Sequence, residues 1–293
     1  MTLFQQALAN FQLLHLTITL QLQGDCSLPA YKGSMWHGWF GHALKQVSEP
    51  AFNALYLQYD HEQPKPYAIE PGFDQKTEWR AGELIQFNLR LFGAASDLGP
   101  IVHKAILAGE RLGLGPARTA VKLVAFNAIG PQGLLAPYQT CSLSAYLAKP
   151  FATASAQTLI LNTPLRLKQQ GKVLHNPQQL TAKLLAAQAR RRLMQLYKYW
   201  VSEEPEQLEA ISQLPLDLGQ SQLSNSLYFE DWQRFSLKQQ EFIPLGGFKG
   251  VITISRCSPG LSQWLKIGEQ LQLGGKTTFG LGSYQLVPAI NNS

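Results

Sequence analysis

The sequence predicts an α+β fold of two successive βαββαβ units, on three observations. Segments of apolar and polar alternation exchange with segments whose apolar residues recur at helical spacing, and this scheme restarts past the middle of the chain. A stretch punctuated by Pro131, Gly133, Pro137 and Pro150 separates the two runs. Finally, Gly109-Glu110-Arg111-Leu112-Gly113-Leu114-Gly115 aligns with Gly268-Glu269-Gln270-Leu271-Gln272-Leu273-Gly274, so GE-x-L-x-L-G stands twice at a helix-to-strand junction. The expected organisation is a pair of tandem ferredoxin-like (RRM-like) βαββαβ domains, at 1–135 and 156–293, joined by a linker at 136–155.

Phe11 to Gln23 alternates and is rich in β-branched residues, a first strand closed by Gly24-Asp25. From Gly33 to Val47, residues Trp36, Trp39, Phe40, Ala43, Leu44 and Val47 share one helical face, with Ser34 placed to cap the start. Glu49 to Glu83 is broken by prolines and reads as a hairpin or loop excursion. Leu84 to Phe92 alternates as a strand, a helix opens at Asp97 and stops at Gly113-Leu114-Gly115-Pro116, and Thr119 to Ile129 returns as a strand.

The second unit opens with a strand from Gln157 to Leu167. Asn176-Pro177 reads as the cap and first position of a long helix reaching Val201. The acidic, proline-broken Glu203 to Ser226 reads as a surface loop, and Leu227-Tyr228-Phe229 with Arg234 to Gln239 as a hairpin. Gly246 to Ile254 is a strand, Leu261 to Leu273 an amphipathic helix, and Thr277 to Val287 the last strand.

Composition narrows the function classes. With 293 residues, 45% hydrophobic and 15% charged, the chain suits two globular domains and excludes a disordered one. A formal charge of +6 favours a polyanionic partner. The three cysteines, Cys26, Cys141 and Cys257, have neither disulfide-framework nor zinc-ligand spacing, which fits a reducing compartment. No basic leader and no run of about 18 apolar residues is found, so a cytoplasmic protein without membrane contact is expected.

The densest chemical signal is the C-terminal glycine-rich loop, Leu273-Gly274-Gly275-Lys276-Thr277-Thr278-Phe279-Gly280-Leu281-Gly282-Ser283-Tyr284. Main-chain N–H groups there can approach an anion, and the Lys276 ammonium can meet a phosphate they hold. A glycine-rich turn that merely joins helix to strand is the alternative. A P-loop is excluded: Gln270 stands where its first glycine belongs, and helix precedes strand instead of following it. On the long helix Arg190-Arg191-Arg192 spans too wide an arc to face one ligand. Lys183, Arg190 or Arg191, and Lys198 remain candidates for a stripe along RNA phosphates.

None of the histidines has a metal-binding partner at i, i+4. His15 and His103 read as satisfied core or edge residues, and His61 and His175 as loop residues. His37 and His42 differ, because both lie on the first helix, His37 at the edge of its apolar stripe and His42 roughly opposite, beside Lys45. An imidazole there can take a proton from a ribose 2′-hydroxyl or give one to a leaving 5′-oxygen; a packing or surface role is the alternative.

Three segments together resemble the CRISPR-associated pre-crRNA processing endoribonucleases of the RAMP superfamily. They are Tyr31 to Leu44 (YKGSMWHGWFGHAL), the strand entry Gly246-Gly247-Phe248-Lys249-Gly250, and Gly274 to Gly282 (GGKTTFGLG). The resemblance covers the whole chain in order, and its glycine-rich signature is the most specific part. It implies two ferredoxin-like domains that bind CRISPR repeat RNA across a central cleft. It further implies one metal-independent cut per repeat, without cofactor, in which the 2′-hydroxyl attacks to leave a 2′,3′-cyclic phosphate and a 5′-hydroxyl. On this resemblance His37 takes the acid/base role, with His42 in reserve, Lys45 and Tyr31 in support, and Gly274, Gly275, Lys276, Thr277, Thr278, Gly280, Gly282, Lys249, Lys183, Arg190 and Arg191 on the RNA. A non-catalytic RAMP subunit holding crRNA in a CRISPR effector complex is the other function it admits, and either a monomer or a homodimer suits both.

Overall fold

The computed structural model describes residues 1–57, 60, 62–148, 156–231, 233–236 and 241–289. The first half contains α1 (Leu3–Asn10), β1 (Gln12–Leu22), α2 (Gly33–Val47), α3 (Glu49–Tyr56), β2 (Tyr67–Pro71), β3 (Leu84–Phe92), α4 (Gly99–Gly109), β4 (Val121–Gly130) and β5 (Gly133–Leu135). Its antiparallel sheet runs β2-β3-β1-β4-β5. The second half contains α5 (Leu143–Leu147), β6 (Ala156–Leu165), α6 (Ala182–Trp200), α7 (Pro205–Gln213), β7 (Gln222–Glu230), β8 (Gly247–Ser255), α8 (Pro259–Leu271) and β9 (Tyr284–Pro288), with sheet order β7-β8-β6-β9. Within each unit the first strand lies between the third and the fourth. Both halves are therefore ferredoxin-like βαββαβ units, as the pattern predicts.

The duplicated heptapeptide does the same work in both. Glu110 Oε1 accepts from Leu123 N of β4 at 2.7 Å, and Glu269 Oε1 accepts from Leu286 N of β9 at 2.8 Å. In each copy the fifth and seventh residues take positive φ: Gly113 at 67° and Gly115 at 71°, Gln272 at 56° and Gly274 at 81°. The leucine between them, Leu114 or Leu273, is buried. The shared carboxylate ties the helix end to the outgoing strand, and the two left-handed residues turn the chain between them.

Several expectations need correction. The first ten residues, left unassigned by the sequence pattern, form α1. The Thr2 capping box closes its start, and Phe4, Ala7 and Leu8 lie in the core of the second half, Phe4 against Trp264 at 5.9 Å. The excursion after Glu49 holds α3 and the fully buried β2. Asn176 caps only a short turn at Pro177–Gln179; the long helix starts at Ala182, capped by Thr181. The acidic surface loop contains α7, whose Ile211 is fully buried. Leu227 to Phe229 pairs with β8, not with Arg234 onward, where Gln233–Ser236 pairs with Glu241–Pro244. Thr277 to Phe279 is a 3₁₀ turn, and the last strand begins at Tyr284. Within the expected linker, Cys141–Ser142 pairs with β1 and Leu143 is buried in the second core. His61, linker residues 149–155 and strand residues 237–239 lie outside the described residues.

A buried polar cluster joins the halves. Arg90 on β3 donates to the carbonyls of Glu269 and Gln270 at 2.6 and 2.8 Å, which satisfies acceptors at the C-terminal end of α8. Its other nitrogen lies 3.4 Å from Glu70 Oε2, while Ser283 donates to Glu70 Oε1 and Asn88 to Oε2 at 3.1 Å. The Nε2 atom of His15 lies 3.9 Å from Glu70 and is a buried nitrogen without a hydrogen-bond partner among the described residues, so His15 is not the satisfied core histidine expected. Burial, reinforced by Arg90, pushes the His15 pKa far below its ordinary value. Burial raises Glu70, but the Arg90 guanidinium and two hydrogen bonds outweigh it and keep the carboxyl ionised well below the usual range. The cluster borders a cavity of about 610 Å³ between the two sheets.

Both shifts are downward, so both groups weaken the fold in acid. Below about pH 6.5 the unfolded chain protonates His15 while the folded chain refuses the proton, at a cost of up to about 1.4 kcal/mol per pH unit. Below about pH 4.3 Glu70 adds to it with the same sign. Urea denaturation at pH 7, 6 and 5 is expected to show falling stability in the wild type and a flatter profile in His15→Leu; equal slopes would remove His15 as the source.

Candidate functional site

The start of α2 is held by an unusual anchor. Lys32, at the N-cap position, is 1% exposed and donates through Nζ to Asp74 Oδ1 at 2.8 Å and Lys76 O at 2.9 Å. Ser34, expected as the cap, lies inside the first turn, and its buried Oγ has no hydrogen-bond partner among the described residues. Beyond it Trp36, Trp39, Phe40, Ala43 and Leu44 bury one stripe, with Trp36 stacked on Phe87 of β3 at 4.3 Å. That packing fixes the helix rotation and leaves His37 half-buried at the stripe's edge.

The glycine-rich loop closes over this point from the other half. A Cβ on Gly33 would stand 2.0 Å from Phe279 O, a contact only glycine permits, and the Tyr31 hydroxyl donates to that same carbonyl at 2.8 Å. A Cβ on Gly280 would meet Pro71 and the Tyr31 hydroxyl at 2.6 and 2.8 Å. Phe279 then lies with its ring 4.1 Å from the His37 ring, and the Lys276 ammonium is 5.9 Å from the same phenyl ring. One aromatic ring thus has an imidazole and a cation as neighbours.

Two tyrosines hold His37 in place. Tyr56 Oη donates to the His37 main-chain carbonyl at 2.7 Å. The Tyr67 hydroxyl is hydrogen-bonded to His37 Nδ1 at 3.0 Å, which fixes the orientation of the ring. Burial pushes both tyrosine pKa values up, which keeps the two phenols protonated.

The other proposed residues divide. His42 is exposed on another face of α2, and Lys45, two turns beyond His37, packs its ammonium over Phe52 at 5.6 Å, so neither joins His37. Tyr31 serves the site by holding Phe279, and its burial raises its pKa further. Much of the loop's main chain is spent internally: the N–H groups of Gly275, Phe279, Gly280, Leu281 and Gly282 bond to backbone carbonyls, and that of Ser283 to Thr163 Oγ1. Thr277, Thr278, Gly280 and Gly282 are buried, which leaves Gly274, Gly275 and Lys276 as the outward part of the loop. The Gly275 N–H is already bonded to Arg166 O, so the expected cradle of N–H groups narrows to Gly274 and Lys276.

Lys249 is half-buried and donates to Asn162 O at 2.8 Å, lining a small cavity with Tyr31. Lys183 is exposed in the first turn of α6, and Arg190 turns aside to Leu214 O at 3.3 Å. Arg191 does approach the loop, together with Arg192, which the sequence reading named without keeping it as a candidate, and with Arg166 and Lys168, which it passed over. Tyr56 and Tyr67 were missed too, since both lie in the stretch read as irregular. Among the described residues no three His, Cys, Asp or Glu side chains are grouped to hold a metal ion.

Residues 159–284 match the family model of the CRISPR-associated endoribonuclease Cas6, and residues 11–51 and 48–141 match a model described as an N-terminal domain. Over residues 159–284 the chain is thus similar to the Cas6 endoribonucleases. Among solved structures, a partial Cas6-RT-Cas1–Cas2 complex aligns over 97% of this chain at 17% identity and TM-score 0.65. The chain spans 47% of the length of that protein. A Cas6 product complex aligns over 95% of this chain and 99% of its own, at 18% identity and TM-score 0.55. A Cas6-related protein of Pyrococcus furiosus aligns over 96% and 100%, at 12% identity and TM-score 0.50. Among curated proteins, none matches the sequence. What these structures share with the chain is the tandem ferredoxin-like fold.

The Gly33 contact gives a direct test. Gly33→Ala is expected to push the Phe279 loop off α2 and to cost about 1–3 kcal/mol, read by urea denaturation. A change under about 0.5 kcal/mol would show that the loop is not clamped there.

Proposed function

We propose that this Cas6-like chain is an endoribonuclease that cuts CRISPR repeat RNA (pre-crRNA) to crRNA without a metal ion. The observation that carries the reading is the tyrosine-held imidazole of His37, beside Phe279 and Lys276. Nε2 of His37 takes the proton from the ribose 2′-hydroxyl at the cleavage site. The freed 2′-oxygen forms a bond to the adjacent phosphorus as the bond to the 5′-oxygen breaks, leaving a 2′,3′-cyclic phosphate. The departing 5′-oxygen takes up the proton that His37 gained and leaves as a hydroxyl, which returns the imidazole to its neutral form. Lys276 offsets the negative charge that grows on the phosphoryl oxygens. The family match over residues 159–284 supports RNA processing or binding, and the His37 geometry favours processing.

Incubation with repeat RNA from the arrays of the same genome, in EDTA, is the test. Wild type is expected to give one cut per repeat with a 2′,3′-cyclic end, and His37→Ala to lose about 10²–10⁴ in rate while still binding. Tight binding without product would favour the crRNA-holding subunit instead. Full cleavage by His37→Ala would remove the histidine mechanism.

The hydrogen bond at Nδ1 makes a second prediction. Tyr67→Phe removes the hydroxyl that orients the ring, and kcat is expected to fall about three- to tenfold with RNA affinity retained, the scale of one hydrogen bond. An unchanged kcat would show that Tyr67 has only a packing role.

A further inference from the structure

Lys276 also lines a cavity of about 250 Å³, between the end of β6, helix α6 and the glycine-rich loop. Arg166, Lys168, Arg191, Arg192 and Lys276 line it, with amides from Gln188 and Gln195, and no carboxylate contributes to the wall. Five cations at one concavity repel one another and persist only where something else holds them or an anion joins them. Two are held. Arg192 is fixed beneath the loop by Leu271 O at 3.4 Å and Thr277 Oγ1 at 3.2 Å, and lies over the Phe92 ring at 5.7 Å. Arg166 is fixed by Gly246 O at 2.7 Å. Burial pushes the Arg192 pKa down to about 10, so the guanidinium stays charged at neutral pH though half-buried. Arg191 and Lys168 are different: they are exposed, and their side chains make no hydrogen bond or ion pair among the described residues.

We infer that this cavity is a phosphodiester-binding pocket, in which Arg191, Arg192, Arg166 and Lys168 hold a backbone phosphate of the RNA one or two linkages from the one that is cut. The inference rests on the proposed function for the identity of its ligand and deepens it. Planar guanidinium groups suit the paired oxygens of a phosphodiester. The wall is too polar, and the cavity too small, for an apolar organic ligand of ordinary size. Lys276 belongs to both places: it lines the pocket and neighbours the Phe279 ring that His37 also touches, so a strand seated in the pocket is led directly to the imidazole. The pocket also supplies what the loop's spent N–H groups do not. The grip on RNA passes from backbone amides to arginines of α6 and β6.

The test is the salt dependence of RNA binding, followed by fluorescence anisotropy with labelled repeat RNA between about 50 and 200 mM salt. One lost phosphate contact flattens the log–log slope by about 0.7–0.9, and the Lys168→Gln/Arg191→Gln double variant, which releases the one phosphate the pocket holds, is expected to flatten it by about that much. Lys122→Gln, a surface lysine of β4, controls for simple loss of charge. A walk of single methylphosphonate linkages along the strand is expected to find one neutral position, near the cut, at which wild type and double variant bind alike. An unchanged slope, an equal effect of Lys122→Gln, or no such position would overturn the pocket. Cleavage that depends on His37 alongside an unchanged slope overturns the pocket and leaves the endoribonuclease. A flattened slope on RNA that is bound but never cut upholds the pocket and overturns the endoribonuclease, and absence of RNA binding by wild type overturns both.

Discussion

The approach of Phe279 O to Gly33 is the constraint on which the rest of the site depends. Without a side chain at Gly33, the first turn of α2 can lie directly against the main chain of a loop some 240 positions away, and Tyr31 locks the same carbonyl. Everything chemically useful follows from that contact. His37 is one turn further along α2, so it meets the Phe279 ring, and Lys276 at the loop's start is carried to the other neighbour position of that ring. Neither domain contains the site alone. The catalytic candidate comes from the first and its cation from the second, and glycine at one position lets them meet.

Such a site demands that the two domains keep a fixed orientation, and the interface is built accordingly. Its centre is the Glu70–Arg90 pair, which satisfies the end of α8 and the Ser283 hydroxyl at once. Buried ion pairs add little net stability, but removing one partner leaves an uncompensated charge, which penalises every other docking angle. Around the centre, Gln272 donates to Ile69 O at 3.3 Å and Trp200 Nε1 to Pro64 O at 2.8 Å, each crossing from one half to the other. Helix α1 adds an apolar strap by burying the chain's first turns in the second core. Polar bonds set the angle, and apolar burial supplies the adhesion.

The fold was largely legible because its signals are local. Alternation located β1, β3, β4 and β8, helical spacing gave α2 from Gly33 to Val47 as observed, and the GE-x-L-x-L-G repeat marked equivalent turns in both halves. What escaped was short or satisfied at a distance: β2 is hidden by flanking prolines, and α7 is polar apart from a few residues such as Ile211. Of the candidate site, His37, Tyr31 and Lys276 were legible in the sequence. His37 stood out by its neighbours in sequence, whereas Tyr56, Tyr67, Arg166 and Arg192 act through partners 10 to 100 positions away, and no motif records such a relation. Lys45 misled because adjacency on a helical wheel ignores the rise along the axis; its ammonium lies over Phe52 instead.

The two copies of the repeated turn show how one half became the working half. Both keep the glutamate that ties helix to strand and both keep the pair of left-handed residues, so the scaffold is the same. They differ in what the turn encloses. In the first copy Leu114 pairs back to Thr119 almost at once, and Gly115 packs on Ser27 and Leu28 of its own domain. In the second, Leu273 pairs only with Gly282, and the longer excursion between them carries Lys276 and Phe279 outward to the partner domain. Retaining Gln272 at a positive φ, where glycine stands in the first copy, places backbone strain at this turn. Its amide crosses to Ile69, so the strained residue is itself an interface contact. A turn that only closes a domain needs none of this; one that must present a cation to another domain's histidine needs length, a fixed base and a clamp at its tip, and residues 272 to 282 supply all three.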